Sequence, residues 1–162
     1  MNLRAIFSVL FLLTLANGGP VVAKRLLGEK FAWPFDGGIR FFDGRPVFGR
    51  SKTVRGLLVG VALPAIAAPL VGLRWTEGAL IGLASLGGDL LSSFVKRRMG
   101  MAPSSQALGL DQIPESLLPA LISMNLLGVA LTDVLAITLL FLVGALVTSR
   151  VFYALKVRDQ PY

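Results

Sequence analysis

The sequence predicts an all-α polytopic membrane protein with about five transmembrane helices and two cytoplasmic loops. Of its 162 residues, 54 % are hydrophobic, which is more apolar surface than a soluble domain of this length can bury. Five apolar runs recur, and most are long enough to cross a hydrocarbon core of about 30 Å. Basic residues collect at alternate connections between these runs, as the positive-inside rule expects of cytoplasmic loops.

The five runs predict a single domain that covers residues 1–162. The expected spans are residues 3–23, 54–73, 77–98, 115–131 and 134–155, and the cytoplasmic loops are residues 24–53 and 99–114.

The first span has some features of a secretory signal, because Arg4 precedes an apolar stretch that ends in small residues. Hydrophobicity resumes at Val21, however, and stops only at Lys24. This pattern favours one retained helix that is interrupted at residues 17–20, where the sequence is Asn-Gly-Gly-Pro.

The first loop contains two aspartate–glycine pairs, Asp36-Gly37 and Asp43-Gly44, which predict a compact loop with a short hairpin. The outer connections are only a few residues long, and Glu77 and Asp133 are expected to cap helices there. Because the long loops share one face, we expect the function to reside on that face.

The net charge of +7 is concentrated on one side of the membrane. With five spans, this places the N-terminus outside and the C-terminus in the cytoplasm, in the inner (cytoplasmic) membrane. Membrane topology and attraction to anionic lipid headgroups explain this charge. Nucleic acid is a poor partner, because few aromatic residues lie between the basic ones. The basic residues on that side are Lys24, Arg25, Lys30, Arg40, Arg45, Arg50, Lys52, Arg55, Lys96, Arg97, Arg98, Arg150, Lys156 and Arg158.

Composition excludes several kinds of chemistry. The chain contains no cysteine and no histidine, so disulfides, thiolate metal sites and imidazole bases are absent. Catalysis would have to use carboxylate, lysine, arginine, hydroxyl and amide groups, together with a hard metal ion held by carboxylates.

The third span carries a strip of small residues and then a polar stripe. Gly78, Gly82, Ser85 and Gly88 predict close packing of neighbouring helices in lipid. The stripe that follows consists of Asp89, Ser93, Lys96 and Arg97, at positions i, i+4, i+7 and i+8 of one helix face.

A carboxylate in a membrane helix costs a few kcal/mol unless it is paired, hydrated or bound to a cation. One interpretation pairs Asp89 within its helix to Lys96 or Arg97. The other makes Asp89 a metal ligand while Ser93, Lys96 and Arg97 bind phosphate oxygens. Arg98, just outside the stripe, is expected to snorkel to the headgroups.

Asp111 precedes the fourth span, where Pro114 favours a helix start. It is either an N-cap or Asx-turn residue of that helix, or a second carboxylate that meets Asp89. A carboxylate pair of this kind can hold one or two metal ions and neutralise phosphates during in-line displacement.

At these residues the sequence resembles the CDP-archaeol synthase family, small membrane relatives of the phosphatidate cytidylyltransferases. The family pattern G-D-x-x-x-S-x-x-K-R-R-x-G matches residues 88–100, and a following D-Q matches Asp111-Gln112. Further matches cover Asn17 and Pro20, the P-x-D-G-G element at residues 34–38 and the D-G-R…G-x-x-K-T-x-R-G element at residues 43–56. In a related D-Q-x-D pattern, Pro114 of this chain replaces the second aspartate.

The resemblance implies transfer of a cytidylyl group from CTP to a lipid phosphate, with release of pyrophosphate and with Mg²⁺ as cofactor. Asp89 and Asp111 would bind the metal and, with Lys96, form the catalytic set. An archaeol-type ether lipid is the family expectation, while diacyl phosphatidate and polyprenyl-type phosphates stay open. The residues assigned to CTP or lipid phosphate are Ser93, Lys96, Arg97, Lys52, Arg55, Asp36, Gly37, Gly38 and Asn17.

The expected partners are therefore CTP, a lipid phosphate and membrane lipids, and a homodimer is left open. The alternative function is a non-enzymatic lipid-binding or scaffold protein whose basic loops hold anionic headgroups. That alternative explains the charge, but it does not explain why Asp89 shares a stripe with Ser93 and Lys96.

Overall fold

The computed structural model describes residues 1–105 and 107–154. Its helices are α1 (Leu3–Leu27), α2 (Val54–Ala67), α3 (Trp75–Arg98), α4 (Gln112–Leu127) and α5 (Leu131–Ala154), and a 3₁₀ turn, Ala68–Val71, follows α2. The prediction of an all-α membrane fold is confirmed. Leu155, Lys156 and Arg158, which the sequence analysis placed in the last span and its basic end, lie outside the described residues.

Four segments of the described chain are long and apolar enough to cross a membrane, namely α1, α2 with its 3₁₀ turn, α3 and Leu131–Thr148 of α5. Helix α4 has 16 residues and is therefore about 24 Å long. It still traverses the bundle, because α5 begins at the same end as α1: the N–H of Asn2 donates to Asp133 Oδ1 at 3.1 Å. The fourth predicted span is therefore a helix shorter than the roughly 20 residues that a full membrane crossing needs.

Helix α1 is continuous through the segment that was expected to interrupt it. It runs on to Leu27 with Pro20 inside, so the predicted break at residues 17–20 is wrong, and the helix continues past residue 23, the expected end of the first span. A proline inside a helix removes one backbone hydrogen-bond donor. Close packing of α1 against α2 offsets this loss, since a Cβ at Gly19 would collide with Leu63 of α2. The helix ends where Gly28 adopts a positive φ of 54°.

Small residues let α3 pack closely against two neighbours, as predicted. A Cβ at Gly78 would collide with the backbone of Pro64 in α2, and one at Gly82 would lie 2.7 Å from the carbonyl oxygen of Gly60. On another face, a Cβ at Gly88 would collide with the backbone carbonyl of Pro114. Helix α3 is therefore the central helix, and it brings the start of α4 against its last turns.

Both long loops cover the end of the bundle where α1 and α3 finish and where α2 and α4 begin. The first loop contains the expected hairpin, in which Phe41 N–H donates to Arg45 O at 2.8 Å and Val47 N–H donates to Ile39 O at 3.1 Å.

At the opposite end both predicted caps are confirmed. Glu77 accepts from the N–H of Arg74 at 2.8 Å, and Asp133 accepts from the N–H of Ala130 at 3.0 Å.

Adjacent glycines in α3 provide a matched test of the α3–α4 contact. We expect Gly88→Ala to lower the free energy of unfolding by about 1–3 kcal/mol through overpacking. Gly87→Ala meets nothing within 4 Å and should be neutral or slightly stabilising, since alanine favours a helix by up to about 1 kcal/mol. Thermal unfolding in detergent at one fixed scan rate checks both variants. Equal midpoints for the two would contradict the close contact at Gly88.

Candidate active site

The polar stripe of α3 lies at the loop-covered end of the bundle, and three of its four side chains are buried. Ser93, Lys96 and Arg97 are 2 %, 7 % and 3 % exposed. Asp89 is only partly buried and faces the first loop. The helix therefore presents one carboxylate, one hydroxyl and two cations beneath the loops.

Asp89 is neutralised by the first loop. Both of its carboxylate oxygens lie 2.6 Å from Lys52 Nζ. Lys52 is held in place by its own backbone, because its carbonyl oxygen accepts from the N–H of Phe35 at 2.7 Å. The interpretation that paired Asp89 with Lys96 or Arg97 of its own helix is wrong, since Lys52 reaches the carboxylate from across the loop.

Asp111 forms the second pair, with Lys96 Nζ 2.6 Å from Asp111 Oδ1. The contact is electrostatic only, because Asp111 Oδ1 is buried and makes no hydrogen bond of acceptable geometry. Asp111 Oδ2 accepts from the N–H of Ala107 at 3.0 Å. Asp111 occupies the N-cap position of α4, as one of the two interpretations predicted, but its side chain makes no capping hydrogen bond to the described residues of that helix.

The two ion pairs use lysines from different parts of the site. Asp89 and Lys96 are seven residues apart on α3, a rise of about 10 Å. Lys96 also donates to the carbonyl oxygen of Ser105 at 2.8 Å, so this one ammonium ties the second loop to α3. Among the described residues, no group of three or more carboxylates lies close enough to hold a metal by itself.

Arg97 is a buried cation without an ion-pair partner among the described residues. Its Nη2 donates to the carbonyl oxygen of Ala102 at 2.6 Å, and its Nε is buried with no hydrogen-bond partner in residues 1–105 and 107–154. Gly49 of the first loop lies beside it, since a Cβ there would be 3.4 Å from Arg97 Nη1. A buried guanidinium in this state favours binding of an anion.

Arg98 anchors the hairpin, so the expectation that it snorkels is wrong. It donates to Asp43 Oδ1 at 3.0 Å and to the carbonyl oxygen of Pro46 at 2.6 Å. Its guanidinium also lies 4.8 Å from the centroid of the Phe41 ring and 4.9 Å from that of Phe94. Two hydrogen bonds and two cation–π contacts explain why the side chain turns to the loop.

Asp36, which was assigned to substrate, orders the first loop. Its Oδ1 accepts from the N–H of Gly38 at 3.0 Å, and its Oδ2 accepts from Phe48 and Gly49 at 2.9 and 3.1 Å. Burial by itself raises the pKa of Asp36, but these backbone hydrogen bonds outweigh burial and leave the pKa below its ordinary value. Gly37 and Gly38 supply the positive φ angles of 58° and 80° that the turn needs.

The hydrogen bonds of Arg55 and Asn17 go to residues outside the two ion pairs. Arg55 donates to the carbonyl oxygens of Gly28 and Lys30 at 2.9 and 2.5 Å. Its stem lines an apolar cavity of about 250 Å³, together with Phe31, Trp33, Val54, Leu58 and Val59. Asn17 accepts from Ser85 at 3.4 Å, and its Nδ2 is buried without a hydrogen-bond partner.

The contacts that join the loops to α3 were not predicted from the sequence. Asp43 binds Arg98, and Arg45 donates to the carbonyl oxygen of Arg98. Lys52 binds Asp89, 37 positions away. An aspartate–glycine turn next to basic residues was the only sequence signal for the first of these contacts.

Comparisons with known proteins agree with one another. A family model described as CDP-archaeol synthase, CarS-like, matches residues 2–162. Relatives described as CDP-archaeol synthase include one from Pyrobaculum arsenaticum, 31 % identical over 100 % of both chains. Another, from Sulfurisphaera tokodaii, is 32 % identical over 97 % of this chain and 96 % of that protein. A solved structure, described as an intramembrane enzyme for archaeal membrane lipids biosynthesis, matches with a TM-score of 0.71 and 29 % identity over 85 % of this chain and 90 % of that one.

The lowered pKa of Asp36 predicts an acid-sensitive first loop. The carboxylate stabilises the loop fully above its ordinary pKa of 3.8, and this contribution should be lost as the pH falls through the lower value of the folded protein. Hydrogen-exchange protection of peptides covering residues 36–49, corrected for intrinsic rates, should therefore drop in acid. At neutral pH, Asp36→Asn should show lower protection of these peptides than the native protein, and its protection should not drop further in acid. An unchanged drop in acid in this variant would assign the pH dependence to another group.

Proposed function

The chain belongs to the CDP-archaeol synthase family, and we propose that the stripe Asp89, Ser93, Lys96 and Arg97, together with Lys52 and Asp111, is its active site. The protein is a multi-pass membrane enzyme, a CTP-dependent lipid-phosphate cytidylyltransferase. The enzymatic function is favoured over a non-enzymatic lipid-binding or scaffold role. We treat residues 1–162 as one catalytic domain.

The observation that carries this proposal is the buried guanidinium of Arg97, which feels the charge of Asp111 but forms no ion pair within 4.0 Å among the described residues. A buried cation whose Nε has no partner is costly unless an anion reaches it. Ser93 lies one turn earlier on the same face and is 2 % exposed, and its hydroxyl can donate a hydrogen bond to an anion. A phosphate placed between the two loops would satisfy both groups.

The reaction joins a lipid phosphate oxygen to the α-phosphorus of CTP and breaks the bond from that phosphorus to the bridging oxygen of the β-phosphate. Pyrophosphate leaves with the electron pair of the broken bond. The lipid phosphate already carries the attacking oxygen, so the protein needs no nucleophile of its own. Its task is to hold two anions in line and to offset their repulsion.

The three cations of the site can each bind one of the two anionic substrates. Arg97 and Lys96 bind the triphosphate, and Lys52 binds either the lipid phosphate or the nucleotide. Both lysines lie 2.6 Å from carboxylates. On binding, the ammonium groups turn from carboxylate oxygens to phosphate oxygens. Asp36, Gly37 and Gly38 keep the loop that carries Lys52 in shape.

The carboxylates suit a magnesium ion. Mg²⁺ prefers oxygen ligands and is commonly bound by one or two carboxylates together with substrate phosphates. Asp89 and Asp111 would hold it, and the buried Asp111 Oδ1, which lacks a hydrogen bond, is an available ligand atom. When bound, the ion neutralises charge on the phosphates.

The apolar cavity beside the first loop is our candidate for the hydrocarbon of the lipid substrate. Val54 in its wall follows Lys52 by two residues, and Lys52 binds Asp89. A lipid phosphate at Lys52 could therefore extend its chains into an apolar wall. We propose an archaeol-type ether lipid as the substrate, with other lipid phosphates as alternatives for the assay.

We place the active site on the cytoplasmic face of the inner membrane, with the N-terminus outside. The support is the concentration of basic residues at that end of the bundle and the need for CTP, a cytoplasmic nucleotide.

Asp89→Asn tests the catalytic assignment. We expect turnover to fall at least about 100-fold, the usual loss when one group that stabilises transition-state charge is removed. The assay is pyrophosphate release by the purified protein from CTP, Mg²⁺ and a panel of lipid phosphates, with the product identified by mass. Asp133→Asn is the matched control, because that carboxylate caps α5 at the other end of the bundle. Full activity in Asp89→Asn with an unchanged melting temperature would remove Asp89 from catalysis.

Leu58→Trp tests the cavity. The larger side chain should fill the apolar space and raise the KM for a long-chain lipid phosphate several-fold, while the KM for CTP stays unchanged. Ile66→Trp, on an exposed position of the same helix and outside the cavity lining, should leave both constants unchanged. A rise confined to the KM for CTP would assign the cavity to the nucleotide instead.

A further inference from the structure

The hairpin at residues 39–47 exposes apolar side chains that the active site does not use. Phe42 is 99 % exposed and Ile39 is 65 % exposed. Phe42 touches its neighbour Phe41, with ring centroids 5.1 Å apart. Two large apolar side chains on a polar loop need a partner other than water.

The hairpin is fixed beside the membrane-spanning part of α3. The ring of Phe41 meets that of Phe94 edge to face at 5.3 Å, and Phe94 lies one turn before the end of the helix. Arg98 covers both rings and binds Asp43 in the turn. The hairpin therefore lies level with the last turn of a spanning helix and does not project into the solvent.

The exposed patch continues a lipid-facing strip. Leu91 is 51 % exposed, and Leu91, Phe94 and Arg98 follow one another at helical spacing on one face of α3. Since α3 is long and apolar enough to span the membrane, its exposed leucine faces lipid. Phe41 and Phe42 extend this strip at the end of the helix.

The charges around the patch suit anionic lipid. Asp43 is the one acidic residue of the hairpin and is paired with Arg98. Arg40 is exposed, and its Nη1 donates to the carbonyl oxygen of Gly44 at 3.0 Å, which leaves its charge unneutralised within the described part of the chain. Aromatic side chains beside arginine are typical of the membrane–water interface.

We propose that residues 39–47 form an interfacial anchor, in which Phe42 and Ile39 enter the boundary between headgroups and hydrocarbon while Arg40 binds an anionic lipid phosphate. The occupant of this patch is the bilayer surface. Through Arg98 and Asp43, the anchor holds the first loop over the end of α3. The inference rests on the contacts of the hairpin and is independent of the catalytic proposal.

A single-tryptophan protein tests the anchor. Trp33→Phe and Trp75→Phe remove the native tryptophans, and Phe42→Trp places a reporter on the exposed site. In nanodiscs that hold one protein each, we expect blue-shifted emission, strong quenching by lipids brominated near the headgroup, and protection from aqueous iodide. Quenching by iodide with none by brominated lipid would overturn the proposal. A blue shift that appears only with two copies per disc would show that a second chain covers the patch, and would also overturn it.

The role of Arg40 needs a second comparison. At equal mole fraction, brominated phosphatidylglycerol should quench the reporter more than brominated phosphatidylcholine does, because Arg40 enriches anionic lipid locally. Adding Arg40→Gln should remove this difference and leave the blue shift in place. Equal quenching by the two lipids before that substitution would refute the anionic contact. Circular dichroism confirms that each variant is folded.

Discussion

The ion pair between Lys52 and Asp89 is the constraint on which the loop-covered end of the bundle depends. A carboxylate inside a spanning helix is expensive unless a cation meets it, and the cation here comes from a loop. That loop can deliver an ammonium to within 2.6 Å of both carboxylate oxygens only if its backbone is fixed. Three N–H groups bound to Asp36 supply this order, and Arg98 anchors the hairpin.

The second ion pair depends on helix packing. Because Gly88 has no side chain, the start of α4 lies directly against α3, and Asp111 can then reach Lys96. The same lysine binds the carbonyl oxygen of Ser105, and Arg97 binds that of Ala102. The strip of small residues thus has two effects: it packs the bundle, and it sets the distance between a carboxylate of one element and a cation of another.

Much of the fold could be predicted from the sequence, because helices, small-residue strips and caps depend on local spacing. The caps at Glu77 and Asp133 and the packing of Gly82 are of this kind. The missed partners of Asp89 and Arg98 have a different cause. Lys52 and Asp89 are 37 residues apart, and Arg98 and Asp43 are 55 apart, so no periodicity reports their contact. The stripe identified the residues of the candidate site, but it could not identify their partners.

The charge of the candidate site supports the proposed role for a metal ion. Lys52 is paired with Asp89 and Lys96 with Asp111, and Arg97 feels the charge of Asp111, so these five side chains together carry one net positive charge. At neutral pH a nucleoside triphosphate carries about four negative charges and a lipid phosphomonoester close to two, about six together. Five charged side chains that mostly cancel one another cannot offset this repulsion. In the proposed site, a divalent cation on the two carboxylates would take the place of Lys52 and Lys96 there, so all three side-chain cations would be free to bind phosphate.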